Sequence, residues 1–394
     1  KKNMLKDKKL PNIAWVVVDS VRSYKGTEDS RGLLDIFSFS NQHGTRFYNV
    51  QTSAPSTIMS TSAMMSGVDS VYHSLTYDRF NASKNQINYI KKELSEEGYN
   101  TYLITFFPEG FKFLADVFDG LTSRKSKVSP PEKRFWTNSE ITKVIQDLIS
   151  NNQIKEPFLL YLNYNCRHDP QTNHHVNNGV NLIKQSFNDR NLYLILNSDH
   201  GYPDPSKNLS KSIGLVGHDL VMTEDNITTP LVVIGKGFNS EKRVEERVSL
   251  LDISDLIKSI SKNNIINSKL YKIANGLKAY DCLYTTWNRY IAQPKGKLAI
   301  VKGSIKCIYD IDDKKENFFK IKSYIDSNLD WNIKEEELST QEQKENTIDL
   351  KTIKEYREKK INEIVYFFGN QLSKKVNATW FKYANFSINL IGQL

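Results

Sequence analysis

The strongest constraint on the fold of this chain is a regular alternation, up to about residue 265, between short apolar runs and amphipathic segments. Each apolar run is four to six residues long, contains β-branched or aromatic residues, and is followed within three residues by Asp, Asn, Pro or Gly. The runs cover residues 13–18, 101–105, 158–163, 192–196 and 231–234. Runs of this length and composition are typical of parallel strands that are buried on both faces and end in loops.

The segments between these runs carry apolar residues at helical spacing, most clearly in residues 85–97, 138–150 and 249–261. Helical segments that alternate with buried strands predict an α/β protein. We therefore expect a three-layer sandwich with a central, mostly parallel sheet. Functional residues are expected at the carboxyl ends of its strands, where ligands bind in folds of this kind.

The pattern changes beyond about residue 290. Residues 297–301 and 305–311 are typical of a hairpin around the turn 302–304, which predicts a small antiparallel subdomain. Residues 332–349 are polar and acidic, which favours a solvated linker or an exposed helix. Residues 352–372 predict an amphipathic helix that packs through Ile353, Tyr356, Ile361, Ile364, Val365 and Phe368.

These patterns predict three regions along the chain. The expected regions are a large α/β domain over 1–290, a small β subdomain over 291–330, and a charged linker with an amphipathic helical tail over 331–394.

Charge and cysteine content exclude several classes of protein. The excess of 54 Lys and Arg over 45 Asp and Glu is spread along the chain, which suits an anionic substrate but lacks the concentrated basic patch expected for nucleic-acid binding. Cys166, Cys282 and Cys307 stand singly, without the spacing of a zinc site or a disulfide framework. No apolar stretch reaches the ~18 residues of a membrane span and no signal peptide is recognisable, which favours a cytoplasmic protein but leaves its compartment open. The sequence predicts no particular oligomeric state.

Polar residues that could bind a metal follow two of the apolar runs. Asp19 directly follows the first run, and Asp199 and His200 follow the run at 192–196. Because the carboxyl ends of parallel strands share one edge of a sheet, we expect these side chains to meet. A single Asp at a strand end is also typical of a turn or a helix cap, but an adjacent carboxylate and imidazole can ligate one divalent ion. Together the three residues predict a metal site.

Thr57 lies in a Ser/Thr-rich segment over 52–67, just before residues that have the pattern of a helix. A hydroxyl there can cap the helix, and the unpaired N–H groups of a helix start can face an anion. A nearby divalent metal would lower the pKa of the hydroxyl and make it a nucleophile. The position therefore has two interpretations, and the neighbouring metal candidates favour the nucleophile.

Four passages share their order along the chain with one known family. They are PNIAWVVVDSVR from Pro11, TIMSTSAMMSG from Thr57, NSDHGY from Asn197, and GHDLVMTEDNITTPLVVIGKG from Gly217. The passages resemble the alkaline phosphatase superfamily in its sulfatase-like branch, and the resemblance covers most of residues 11–320. It implies an ester-cleaving enzyme whose substrate is an anionic small molecule or a glycan- or lipid-linked ester.

The resemblance also implies roles for individual residues. In the sulfatase motif the nucleophile lies ten positions before a Gly, and counting back from Gly67 puts Thr57 at that position. Ser53 and Ser56 remain alternative nucleophiles. The carried-over metal ligands are Asp19, Thr57, Asp199 and His200.

The chain departs from true sulfatases in ways that bear on its chemistry. Sulfatases oxidise Cys or Ser to formylglycine, which Thr57 cannot form, and they have Asn where this chain has His200. An imidazole ligand favours Zn²⁺ or Mn²⁺ over Ca²⁺. A Thr nucleophile beside an Asp-His pair resembles instead the phosphoryl-transfer members, namely nucleotide phosphodiesterases, lipoteichoic acid synthases and phosphoethanolamine transferases.

Further histidines suggest substrate contacts and leave a second metal open. His168 resembles a substrate-contacting His, and His218 resembles the His or Lys that grips the substrate anion or protonates the leaving oxygen. Two-metal members carry Asp-x-x-x-His, and here Asp169 and His174 are one residue further apart. A second site would use Asp169, His174 and His218, while His174 and its neighbour His175 equally suit a plain loop.

The sequence therefore predicts a metal-dependent hydrolase that cleaves a phosphoric ester through a covalent phospho-threonine at Thr57, with His168 and His218 as further catalytic residues. Three alternatives stay open. They are a phosphoethanolamine- or glycerophosphate-type transferase, a sulfuric ester hydrolase, and a binding protein that keeps the fold without catalysis.

Overall fold

Two sheets organise the protein. The computed structural model describes residues 9–24, 37, 44–73, 90–107, 136–166, 171–187, 191–204, 217–238, 242–278, 282–290, 295–325 and 331–372. The first sheet contains the strands β1 (Asn12–Asp19), β2 (Thr45–Gln51), β3 (Asn100–Thr105), β4 (Phe158–Asn165), β5 (Leu192–Asn197), β6 (Thr228–Ile234), β7 (Arg243–Val244) and β8 (Val248–Ser249).

The first sheet is mostly parallel, as the alternation of apolar runs predicts. Its strand order is β3-β4-β1-β5-β6-β2-β7, and β8 pairs with β2 beside β7. Strands β3, β4, β1 and β5 pair in parallel, whereas β6 runs antiparallel to both β5 and β2. Every residue of β1 is buried because the strand lies at the centre of the sheet and is covered on both faces.

Helices cover both faces of this sheet and complete the three layers. In chain order they are α1 (Thr57–Ser66), α2 (Ile90–Glu96), α3 (Asn138–Ser150), α4 (Thr172–Ser186), α5 (Glu224–Ile227), α6 (Asp252–Ser261) and α7 (Lys269–Ala274). Trp15 and Val17 of β1 share a core with α1, α2, α6 and α7, while Val16 and Val18 share the opposite core with α3 and α4. The alternation of side chains along β1 thus separates two cores, as expected for a strand between helical layers.

The predicted helix bounds differ in accuracy. Helix α3 begins and ends where the periodicity predicts, because Thr137 and Glu140 form a reciprocal capping box at its start. Helix α6 begins three residues after the predicted start at 249. Helix α2 covers the end of the predicted segment 85–97, whose first residues lie outside the described part of the chain.

The second sheet is antiparallel and contains β9 (Leu283–Tyr290), β10 (Lys295–Lys302), β11 (Ile305–Asp310), β12 (Lys315–Ile325) and β13 (Trp331–Glu337). The predicted hairpin is confirmed, since β10 and β11 pair around Gly303, whose φ is 57°. The strands extend beyond 291–330 at both ends, and the division into domains itself stays a prediction.

The expected solvated linker after residue 331 is wrong for its first part. Strand β13 pairs with β12, and its Trp331 and Ile333 are buried while Lys334 and Glu336 are exposed. Side chains alternate between the two faces of a strand, so Lys334 and Glu336 face solvent while Glu335 lies on the same face as Trp331 and Ile333. The exposed-helix alternative holds for α8 (Thr340–Glu345), which buries no residue.

The last described element is α9 (Thr347–Leu372), the predicted amphipathic helix. Ile353 and Ile364 are fully buried against the second sheet, which confirms a packing role for that part of the stripe. Val365 is 56% exposed and does not belong to the packed face, and the side chain of Phe368 lies outside the described residues. No helix in the described ranges has the length and apolar character needed to cross a membrane.

Candidate active site

The carboxyl ends of β1 and β5 bring together the polar residues that the sequence predicts. Asp19 is the last residue of β1, and Asp199 and His200 come directly after β5, its parallel neighbour. Helix α1 starts at the same edge, and its Thr57 Oγ1 donates a hydrogen bond of 2.9 Å to Asp19 Oδ1. The same oxygen lies 3.3 Å from His200 Nε2. Four residues from three segments therefore converge on one point.

Asp19, Asp199 and His200 form a compact group of metal-ligand atoms. His200 Nε2 lies 3.5 Å from Asp19 Oδ1 and 3.7 Å from Asp199 Oδ2, and one ligand atom from each residue lies within 4.8 Å of the other two. All three residues are buried. Asp199 Oδ2 is buried without a hydrogen-bond partner in the described part of the structure. A carboxylate oxygen left unpaired among ligand atoms fits a site for a divalent cation.

The orientation of His200 suits metal binding. Its Nδ1 lies 2.7 Å from the Gly201 carbonyl oxygen, which can only accept a hydrogen bond. This contact assigns the proton to Nδ1, so the lone pair of Nε2 points at the carboxylates of Asp19 and Asp199. A second hydrogen bond that sets the tautomer in this way is usual for metal-ligating histidines.

Hydroxyl groups from the Ser/Thr-rich segment hold the backbone of Asp199. The carbonyl of Asp199 accepts hydrogen bonds from Ser60 Oγ at 2.6 Å and from Thr52 Oγ1 at 2.8 Å. This role was not predicted, because both hydroxyls lie more than 130 residues from Asp199 in the chain. The number of hydroxyls in the segment therefore has a structural explanation separate from catalysis.

The carboxylate of Asp199 is oriented by backbone amides. Its Oδ1 accepts from the N–H groups of Ser20 at 3.1 Å and His200 at 2.9 Å. Ser20 adopts a φ of 62°, a left-handed conformation that is uncommon for a residue with a side chain. With Oδ1 occupied by two donors, Oδ2 is the oxygen left for a cation.

The electrostatics of the cluster favour a bound cation. Burial raises the pKa of Asp199 to about 6, and the nearby carboxylate of Asp19 adds to the rise while His200 opposes it. Burial lowers the pKa of His200, but the carboxylates of Asp199 and Asp19 outweigh this effect and the net pKa is raised. Two buried carboxylates close together are costly unless positive charge compensates them. A divalent ion would supply that charge.

Thr57 is not the cap of its helix. Ser56 occupies the N-cap position of α1 and its side chain makes no cap hydrogen bond, while Thr57 is the first helical residue. The hydroxyl of Thr57 is directed at Asp19 instead of the helix backbone. Ser53, an alternative nucleophile, bonds elsewhere, since its Oγ accepts from Ser70 N at 3.4 Å. Of these two hydroxyls, the one on Thr57 contacts the Asp19 carboxylate.

His218 lies beside the cluster on a short 3-10 turn, Gly217–Leu220. Its ring stacks on the ring of His200 with centroids 4.7 Å apart and planes 22° apart, and it also contacts the ring of Tyr202 at 5.2 Å. Its side chain is 15% exposed. A group at the edge of the cluster that still reaches solvent can exchange a proton with a bound substrate.

Of the predicted residues His168, Asp169 and His174, only His174 lies in the described part of the structure. His174 is exposed on α4, where its Nε2 accepts from Asn178 Nδ2 at 3.0 Å. His168 and Asp169 lie outside the described residues, so the second metal site stays a prediction. Within the described ranges, Asp19, Asp199 and His200 are the one group of three or more such ligands.

Comparisons with known proteins show what this chain is similar to. A comparison with curated protein sequences finds no match. A family model described as Sulfatase matches residues 11–174, which include Asp19 and Thr57. A solved protein of the alkaline phosphatase superfamily from Vibrio parahaemolyticus has a TM-score of 0.61 at 13% identity, over 94% of this chain and 90% of that chain. Residues 11–174 of this chain therefore resemble the sulfatase family model, and the chain shares the fold of the alkaline phosphatase superfamily protein.

Other solved structures share the fold of this chain. A putative sulfatase from Bacteroides thetaiotaomicron has a TM-score of 0.63 at 12% identity, over 94% of this chain and 95% of that chain. A structure in complex with its substrate, D-glucosamine-2-N,6-O-disulfate, has a TM-score of 0.65 at 11% identity, over 93% of this chain and 100% of that chain. At these identities the similarity concerns the fold, so the chemistry must be argued from the residues of this chain.

Proposed function

We propose that this sulfatase-like protein hydrolyses a phosphoric ester with Thr57 as its nucleophile. The observation that carries the proposal is the hydrogen bond from Thr57 Oγ1 to Asp19 Oδ1, within the cluster that Asp199 and His200 complete. The hydroxyl is held at the start of a helix, where backbone N–H groups can stabilise an anionic substrate group. The substrate-bound neighbour contains a sugar, which supports a glycan-linked ester as the substrate class.

Asp19, Asp199, His200 and Thr57 would hold one divalent metal. Two carboxylates, an imidazole and a hydroxyl suit Zn²⁺ or Mn²⁺ better than Ca²⁺, which takes oxygen ligands only. When bound, the metal supplies charge neutralisation and a lower pKa for the hydroxyl that it ligates. The buried oxygen Asp199 Oδ2 and the directed lone pair of His200 support this assignment.

The side chains of this protein can carry out the rest of the reaction. Thr57 Oγ1 loses its proton along the hydrogen bond to Asp19 Oδ1 and forms a bond to phosphorus. The bond between phosphorus and the ester oxygen breaks, and His218 donates a proton to that oxygen. Water then attacks phosphorus and passes a proton to His218, the bond between phosphorus and Thr57 Oγ1 breaks, and the proton held by Asp19 returns to that oxygen as the phosphate leaves. His168 would contact the substrate anion.

Sulfate ester hydrolysis is the second candidate because the matching family model is that of the sulfatases. Thr57 argues against the sulfatase mechanism, since a secondary alcohol cannot be oxidised to the formylglycine aldehyde. The two candidates differ in which ester is cleaved and in whether cleavage needs Thr57. A transferase would use the same residues and pass the phosphoryl group to an alcohol instead of water.

The test is turnover of p-nitrophenyl phosphate, bis-p-nitrophenyl phosphate and p-nitrophenyl sulfate by protein stripped of metal and resupplied with Zn²⁺, Mn²⁺ or Ca²⁺. We expect metal-dependent cleavage of a phosphate ester whose kcat/KM falls more than about 1,000-fold in Thr57→Val. Ser56→Ala, the adjacent hydroxyl, is the matched control and should keep its activity. Asp199→Asn should lose metal binding measured by calorimetry, whereas Ser56→Ala should keep it.

Several results would contradict the proposal. Phosphate ester cleavage that survives Thr57→Val would remove Thr57 as the nucleophile, and loss in Ser56→Ala alone would move the role to that residue. Cleavage of the sulfate ester alone would favour the sulfatase candidate. Turnover that appears only when an alcohol acceptor is added would identify a transferase, and absence of both turnover and metal binding would identify a binding protein.

A further inference from the structure

The second sheet contacts the segment that carries His218. Lys306 on β11 is fully buried, and its Nζ donates a hydrogen bond of 2.9 Å to the carbonyl of Met222. Asn288 on β9 is also fully buried, and its Nδ2 donates a hydrogen bond of 2.8 Å to the carbonyl of Asp219. Both carbonyls belong to residues 217–222, which we call the His218 turn. Two strands of the second sheet thus contact a turn that lies beside the metal-ligand cluster of the first sheet.

Charged residues hold Lys306 in place beneath the His218 turn. Its Nζ lies 3.3 Å from Glu224 Oε1 and forms an ion pair with Glu335 of β13. Glu224 in turn pairs with Arg247 at 2.8 Å. Burial raises the pKa of Glu224, but Arg247 and Lys306 outweigh it and hold that pKa at about 2, so Glu224 is charged at neutral pH. A buried network whose members pair in this way is rigid, because moving any member leaves a charge uncompensated.

Asn226, on the short helix α5, also supports the His218 turn. Its Nδ2 donates to the carbonyl of His218 at 2.6 Å and to the carbonyl of Val221 at 2.7 Å. The turn therefore has four carbonyls held by three buried side chains, and two of those side chains come from the second sheet. The Asn226 contacts are local in sequence, whereas those of Asn288 and Lys306 span 69 and 84 residues.

We infer that Lys306 and Asn288 are positioning residues that hold the His218 turn so that the imidazole stays stacked on His200 and reaches the leaving oxygen of the substrate. The inference rests on the proposed function, in which His218 donates that proton. In this role, residues of the second sheet contribute to catalysis although they do not contact the substrate. The His218 imidazole must be positioned accurately, because it can transfer a proton only when it lies at hydrogen-bond distance from the leaving oxygen.

The first experiment tests the contact without using activity. Hydrogen exchange of amides in 217–222 is compared in wild type, Lys306→Met and Asn288→Ala. The control is Lys322→Met, which removes an exposed lysine that pairs with Glu336 on the same sheet. We expect at least about tenfold faster exchange in the His218 turn of both variants, unchanged exchange in α1, and no change in the control. Unchanged exchange in the His218 turn of folded Asn288→Ala would overturn the inference.

The second experiment separates positioning from simple loss of stability. A proton donor matters more for a poor leaving group, so Lys306→Met and Asn288→Ala should lower kcat about tenfold or more for phenyl phosphate and much less for p-nitrophenyl phosphate. His218→Ala should show the same dependence on the leaving group. The double variant His218→Ala/Asn288→Ala should lose no more than His218→Ala alone, because both changes act through one imidazole.

The outcomes distinguish the inference from the proposed function. Equal losses for both esters, or additive losses in the double variant, would overturn the positioning role while leaving Thr57 chemistry intact. Failure of wild type to cleave any phosphate ester, bis-p-nitrophenyl phosphate included, would contradict the proposed function and with it the catalytic role, and the exchange experiment would still decide whether the second sheet holds the turn. Lys306→Met leaves the carboxylates of the buried Glu224 and the partly buried Glu335 with less positive charge nearby, so Asn288→Ala provides the test if Lys306→Met fails to fold.

Discussion

Two buried histidines show how the surroundings of a residue determine its charge. His200 is fully buried and His73 is 1% exposed. His200 faces two carboxylates, which raise its pKa despite burial. His73 contacts Ser66 Oγ at 2.9 Å and the Val68 carbonyl at 3.3 Å, and burial lowers its pKa to about 4. His73 is therefore neutral in the folded protein at physiological pH and acts in packing.

His73 should make the stability of the protein depend on pH in acid. Between its folded pKa of about 4 and its ordinary value of 6.5, the unfolded chain binds a proton that the folded protein does not. This contribution is fully present above pH 6.5 and is lost as the pH falls towards 4. We expect it to amount to about 2–3 kcal/mol. His73→Gln should reduce the fall in the free energy of unfolding between pH 7 and 4.5, measured by urea denaturation.

The control for this prediction is His174→Gln. His174 is exposed on α4, so its replacement should leave the pH dependence of stability unchanged. A fall in stability that is as steep in His73→Gln as in wild type would show that other groups cause it.

Among the elements, α1 has a special position because both of its ends are constrained. Its first residue, Thr57, contacts the metal-ligand cluster, and it ends at Gly67, whose φ is 71°. The N–H of Gly67 donates to the carbonyl of Ala63 at 2.8 Å, which terminates the helix in a left-handed conformation that favours glycine. A Cβ at Gly67 would lie 3.1 Å from the Cβ of Ser254 on α6. The end of the helix is thus determined by both conformation and crowding.

Two glycine substitutions should separate conformation from crowding. Gly98 has a φ of 86°, but a Cβ there would have no atom within 4 Å. Gly98→Ala should therefore cost only the conformational strain, about 1 kcal/mol. Gly67→Ala should cost about 1 kcal/mol more, because Ser254 must also move. The free energies of unfolding in urea measure both, and equal costs would show that the contact with Ser254 relaxes freely.

For the whole molecule, α9 connects the second sheet to the segment that follows α1. Lys360 Nζ lies 3.4 Å from Asp69 Oδ2 and 2.9 Å from Glu363 Oε2. It also lies over the rings of Tyr72 and Tyr356, at 5.4 Å and 5.6 Å. Residues of α1, the second sheet and α9 share one hydrophobic cluster, so the late part of the chain packs against the helix that starts with the proposed nucleophile.

Lys360→Met should destabilise the protein by about 2 kcal/mol, because it leaves the partly buried Asp69 carboxylate without its cation. Lys351 lies on the same helix, is 77% exposed and pairs with Glu355, so Lys351→Met should cost less than about 0.5 kcal/mol. Adding Asp69→Asn to Lys360→Met should recover part of the lost stability, because it removes the carboxylate that has lost its cation. Thermal and urea unfolding test this set, and similar costs for the two lysines would contradict a buried ion pair.

How much of the site was predictable depends on the distance in sequence over which each contact acts. Asp19, Asp199 and His200 were identified from the sequence because each lies at or just after the end of an apolar strand. Their convergence follows from the parallel sheet, and the distances confirm that they meet. The hydroxyl of Ser60 on the Asp199 carbonyl was not predicted, because no local pattern indicates a partner 139 residues away.

The sequence by itself determined strands β1, β3, β4, β5 and β6, the hairpin of β10 and β11, the clearest amphipathic helices and the edge of the sheet where the candidate residues meet, because periodicity and strand ends are local properties of the chain. Only the tertiary structure decided that β13 is a strand, that Thr57 faces Asp19 instead of capping its helix, and that Lys306 and Asn288 hold the His218 turn. These features depend on contacts between segments far apart in the chain. Such contacts form when the two sheets pack together, and no single stretch of residues encodes them.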